Sequence, residues 1–135
     1  MASRFTELVV DCRDARALAA FWCAVLDYKV VAEEEGYTEI GPWTPSAEQI
    51  RTGSIPPSLI FIEVPEGKSV KNRLHIDLSP IDRSRDDEVE RVVGLGARRI
   101  DIGQGEKSWV VLADPEDNEF CVLRSLAPGE APSGA

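Results

Sequence analysis

The chain has 135 residues, 43% of them apolar, a net charge of −9 and a pI near 4.6. That apolar share excludes a disordered chain, and the length suits one domain or two small modules sharing a core. The acidity repels phosphate backbones and anionic bilayers, so neither nucleic acid nor a membrane is expected as a partner.

No apolar run approaches the roughly 20 residues that cross a bilayer, and MASRFTEL lacks the apolar stretch of a signal peptide. A cytoplasmic location is therefore the expectation. Cys12, Cys23 and Cys121 are odd in number and far apart, with no CxxC or CxxH spacing, and read as reduced thiols.

In chain order, FTELVVDC (5–12) alternates as a strand does. Asp14 can then cap a helix with Leu18, Phe21, Trp22, Val25 and Leu26 at helical spacing. Short strands follow at 28–33 and 37–40. The stretch GPWTPSAEQIRTGSIPP (41–57) is too rich in proline and glycine to be regular throughout. SLIFIEV (58–64) is the next strand, and NRLHIDLS, with the only histidine of the chain, is a fifth.

The second half repeats this order. Asp82 or Ser84 can start a helix with Val89, Val92 and Val93 inward, stopped by Gly94 and Gly96. Strands are expected at 97–102, 107–113 and 118–124, and the small-residue tail 128–135 is expected to be mobile. The chain thus reads as βαβββ written twice. Glu7 and His75 share one 68-residue spacing with Asp14 and Asp82. One helix covers only one face of such a sheet, and two sheets side by side can enclose a cavity.

Alternation then assigns faces. Leu74, Ile76 and Leu78 form an oily face, leaving Arg73, His75 and Asp77 on the other. Glu7 and Val9 point away from the packed Leu8 and Val10. Ile60, Ile62 and Val64 form the apolar set of their strand, leaving Leu59, Phe61 and Glu63 opposite. Side chains two apart on one face stand about 7 Å apart, so Asp77 is not expected to orient His75 directly. Trp22 belongs to the helix stripe. Trp43 lies in the irregular loop, where an apolar residue can line a pocket, and Trp109 could face either way.

The segments VVDCRDARALAAFWCAVLDYKV, VKNRLHIDLSP and VVLADPEDNEFCVL, spanning most of 5–124, resemble the vicinal oxygen chelate superfamily. That superfamily includes glyoxalase I, extradiol dioxygenases, and fosfomycin- and bleomycin-resistance proteins. VKNRLHIDL and NEFCVL are similar to its glyoxalase-like branch. Asp117 stands where the family's turn usually has glycine.

The resemblance implies an α+β fold of two tandem βαβββ modules, about 4–65 and 72–125, in one glyoxalase-like domain (1–127) whose sheets enclose a cavity. It places the family's metal ligands on Glu7, His75 and Cys121, with the fourth on Glu63 or, in the other register, Phe61. The family's usual glutamate position falls on Cys121 rather than Glu119. A divalent ion (Zn, Ni, Mn or Fe) could sit on His75, Glu7, Glu63 and Cys121, with the thiolate favouring zinc. With two ligand types exchanged, a degenerate or metal-free pocket is the preferred expectation.

The implied function is a small-molecule enzyme of lyase or isomerase type. His75 with Glu7 or Glu63 would be its acid–base pair, and Trp43, Phe61, Arg73, Asp77, Trp109 and Cys121 its substrate contacts. The alternative is a non-catalytic protein that sequesters an aromatic compound, as bleomycin-resistance proteins do. A homodimer is expected from the resemblance alone.

Overall fold

The computed structural model describes residues 2–53, 55–100 and 109–130. The strands expected at 101–102 and 107–108, and the tail from 131 onward, lie outside the described residues. The chain divides into two compact units, residues 1–67 and 68–135. Each is an α+β unit with one four-stranded sheet.

In the first unit, β1 (Glu7–Cys12) leads into α1 (Ala15–Leu26), then β2 (Lys29–Glu34), β3 (Tyr37–Gly41), α2 (Ala47–Thr52) and β4 (Ser58–Glu63). The strands lie in the order β1-β4-β3-β2, with β1 parallel to β4 and the rest antiparallel. Asp14 caps α1 as expected, its carboxylate accepting from the Ala17 N–H at 3.0 Å. Such a cap is worth about 1 kcal/mol. Leu18, Phe21, Trp22 and Val25 of α1 are buried with Thr38 and Ile40 of β3 and Leu59 and Phe61 of β4.

The loop 41–57 contains a helix that was not expected. Ser46 accepts from the Gln49 N–H and the Gln49 side chain accepts from the Ser46 N–H, a reciprocal cap that starts α2. The signal stands in the sequence as Ser-x-x-Gln.

The second unit holds β5 (Ile76–Leu78), α3 (Arg85–Leu95), β6 (Arg98–Arg99), β7 (Val110–Ala113) and β8 (Glu119–Val122). Its order, β5-β8-β7-β6, with β5 parallel to β8, repeats that of the first unit. Ser84, not Asp82, caps α3, accepting from the Asp87 N–H. Gly96 ends it at a φ of 126°, a conformation costly for other residues. Gly94 lies inside the helix.

Val89 and Val92 are buried, but Val93 is exposed, and Glu88 takes the third inward place. A bidentate pair with Arg91, at 2.7 and 2.8 Å, makes burial of that carboxylate tolerable. Asp117 adopts a φ of 70°, which explains why glycine suits that turn position.

Two expectations about faces need correction. On β4 the assignment is reversed, because Phe61 is fully buried among residues that pack with α1. Glu63 shares its side and accepts from the Ala15 N–H at the start of α1. The register sets Ser58, Ile60 and Ile62 on the other side with Glu7, Val9 and Asp11, where Glu7, Val9 and Asp11 are exposed but Ile60 is buried. A run apolar on both sides gives alternation nothing to decide by. The fifth strand is also shorter than expected. Residues 72–75 leave the strand, and Leu74 is 80% exposed rather than packed.

Candidate functional site

The backbone ladders give the internal correspondence of the units. The Val64 N–H donates to Cys12 O, and the Leu123 N–H donates to Leu78 O, each closing its parallel ladder. Cys12 therefore corresponds to Leu78, an interval of 66 residues, whereas α1 and α3 begin 70 apart, at Ala15 and Arg85. The 68-residue interval averages a shorter strand spacing and a longer helix spacing. By the ladder, Asp11 corresponds to Asp77, Ile62 to Cys121, and Phe61 to Phe120. Extending it by two residues sets His75 against Val9, not Glu7.

In the second unit, the register pairs Asp77 with Cys121, and Cys121 with Val111. His75, Asp77 and Cys121 converge, their donor atoms all within 4.8 Å of one another. His75 Nδ1 lies 3.9 Å from Asp77 Oδ1. Asp77 thus reaches His75 against expectation, because His75 sits in the irregular lead-in, where the pleat no longer sets the spacing. His75 and Asp77 are exposed and Cys121 is buried. Burial, the Asp77 charge and the hydrogen bond to Asp77 push the Cys121 thiol up to about 11. It is a neutral thiol at physiological pH.

The lead-in to His75 is tethered. Glu119 accepts from the Asn72 N–H at 2.9 Å and from Lys68 Nζ at 2.8 Å. Burial alone would raise the Glu119 carboxyl, but these bonds hold it below its usual range. The Asn72 amide donates to Asn118, whose own amide donates to the buried Asp114. Arg73 is exposed in the same lead-in, and Trp109 is exposed just before β7.

The remaining expected residues lie in the first unit, where the structure does not bring Glu7 and Glu63 together. Glu7 and Glu63 sit at opposite ends of the β1–β4 ladder and on opposite faces of the sheet. Five residues of strand separate their levels, about 16 Å. They cannot ligate one ion within this unit. Phe61 is core, and the Glu63 carboxylate is engaged with α1.

Glu7 and Trp43 instead line a cavity of about 320 Å³ with Glu39, Ser58, Val31 and Ile50. Glu39 was not singled out from the sequence. The alternation of YTEIG, with Thr38 and Ile40 inward, carried its signal.

For a metal, the fit depends on the donor set. Imidazole, carboxylate and thiol match a zinc-type ion better than the oxygen-rich shells of magnesium or manganese. The ion would have to displace the Cys121 proton.

Two four-stranded sheets, each from a βαβββ unit, define a protein of the glyoxalase/bleomycin resistance/dioxygenase fold. The family model for a glyoxalase-like domain matches residues 7–123, and the chain belongs to that family. No curated protein matches it.

Among solved structures, a glyoxalase/bleomycin resistance/dioxygenase family enzyme from Burkholderia phytofirmans is 15% identical, with a TM-score of 0.65 over 92% of this chain and 99% of that one. The fosfomycin resistance protein FosX from Listeria monocytogenes, in complex with Mn(II) and 1S,2S-dihydroxypropylphosphonic acid, is 16% identical. Its TM-score is 0.63, over 91% of this chain and 90% of that one. FosX from Mesorhizobium loti is 15% identical at a TM-score of 0.62, over 90% and 92%. At these identities the likeness concerns the fold. Among the described residues, no helix is long and apolar enough to cross a membrane.

Proposed function

We propose that the chain is a small-molecule enzyme of lyase or isomerase type whose proton transfers run through His75. The observation that carries this reading is the convergence of His75, Asp77 and Cys121. Asp77 faces Nδ1 of the imidazole at a distance that a small rotation shortens to a hydrogen bond. That bond would fix the tautomer and leave Nε2 free to take a proton from a substrate carbon. The same nitrogen returns the proton to a neighbouring atom in an isomerisation, or to a leaving group in an elimination. The neutral Cys121 thiol, hydrogen-bonded to Asp77, orients the carboxylate from below. Arg73 and Trp109 are the substrate contacts that this unit offers.

His75, Asp77 and Cys121 would also be the residues to hold a zinc-type ion. When bound, such an ion supplies Lewis-acid stabilisation of a substrate oxyanion.

The test is proton exchange in D2O across a panel of α-hydroxy ketones, α-keto acids and epoxides, with bound metal measured in parallel. Exchange into at least one compound is expected, falling by about 100-fold or more in His75→Gln. Exchange undiminished in that variant would sink the reading. If activity depends on added zinc and vanishes in Cys121→Ser, the residues act as an ion site.

A further inference from the structure

We propose that the cavity of the first unit binds an organic cation, an ammonium group carried on an aromatic or apolar body. This inference stands on the first unit alone and is independent of the chemistry proposed for His75.

The carboxylates come from the open face of the sheet. Glu39 faces the cavity with both oxygens oriented. The Ser58 hydroxyl donates to Oε2 at 2.8 Å and the Tyr37 hydroxyl donates to Oε1 at 3.4 Å. Two neutral donors fix this carboxylate without cancelling its charge. Glu7, which heads β1 opposite Ser58, lines the same cavity. Their combined field is felt at Tyr37, whose hydroxyl is raised first by burial and then by the charges of Glu39 and Glu7.

Most of the remaining lining is apolar. Trp43 is 44% exposed and lies between Pro42 and Pro45, with Val31, Ile50 and Ile55 completing the lining. Among the described lining residues Arg4 is the one cation, and its guanidinium is held by donation to Arg51 O at 3.1 and 3.2 Å, leaving two carboxylates against one positive charge. An indole and two carboxylates lining one small cavity suit an ammonium ion by charge and by cation–π attraction. An anion would meet the carboxylates unpaired. The volume, about 320 Å³, is at the small end of ligand pockets, so the ligand is small.

The probe is 2-phenylethylammonium, compared with 2-phenylethanol as the neutral isostere and 3-phenylpropionate as the anion. Binding is followed by the indole N–H resonance of Trp43, identified by its absence in Trp43→Phe. The ammonium is expected to bind about tenfold more tightly than the alcohol, and the anion not at all. Glu39→Gln keeps the shape and one accepting oxygen, while at the other position the amide must donate to the hydroxyl, and it should remove that preference. If Glu39→Gln lowers the melting temperature, the exposed Glu7→Gln provides the same reading, with a smaller loss.

In His75→Gln the preference should persist. The proposal is overturned if none of the three probes binds, or if the alcohol or anion binds as well as the ammonium. It is equally overturned if the preference survives both carboxylate variants or disappears in His75→Gln.

Discussion

The two units share one topology and differ in what their open faces carry. In the first, β1 runs six residues and its open face bears Glu7, Val9 and Asp11, with α2 and the 42–45 loop bordering a cavity. In the second, the corresponding β5 is three residues long, and its irregular lead-in bends His75 towards Asp77 and Cys121. The link from strand to helix is also four residues longer in the second unit, Ser79–Ser84 against Arg13–Asp14. Equivalent backbones therefore carry different sets of side chains. In both units the helix side is core, and it is the other face that differs.

The first way to break that comparison is through the core it assumes. Phe61 and Phe120 occupy equivalent ladder positions, and both are buried. Replacing either by alanine should cost about 3–5 kcal/mol, from lost transfer energy and the cavity left behind. Chemical denaturation of the two variants measures it. A near-neutral Phe61→Ala would mean that Phe61 faces a pocket, as the strand's alternation had suggested, and the ladder correspondence would fail.

A smaller effect sharpens the assignment of Glu63. Its carboxylate accepts the Ala15 N–H at 3.0 Å beside the positive end of α1. Glu63→Gln should therefore destabilise the protein by about 1 kcal/mol and leave zinc affinity and probe binding unchanged. Loss of metal or ligand at constant stability would return Glu63 to the site.

Much of the fold was legible because amphipathic alternation, caps and turn residues are local signals. Asp14, the α1 stripe and the repeated strand order all follow from spacing. The site was only half legible. His75 and Cys121 were singled out because they stand out chemically and fall at positions that the family resemblance implies. The convergence of His75 with Asp77 was not legible, since it requires the chain to leave the pleat at residues 72–75. That departure is imposed by Glu119, Asn118 and Lys68, two of them 46 or 47 residues away from Asn72. Phe61 and Glu63 were misplaced because SLIFIE is apolar at nearly every position, and burial on both sides erases the period.

The smallest effect bears on that departure. In a regular strand Leu74 would share the packed face with Leu78, and its loss would open a cavity. In the structure Leu74 is 80% exposed while Leu78 is buried. Leu74→Ser should then change stability by less than about 0.5 kcal/mol, whereas Leu78→Ala should cost about 2–5 kcal/mol. Thermal unfolding of the pair distinguishes the two geometries. If Leu74→Ser were as costly as Leu78→Ala, residues 72–75 would belong to the strand. The pleat would then hold His75 and Asp77 about 7 Å apart. A dyad could not form at that distance, and His75 would have to work without Asp77.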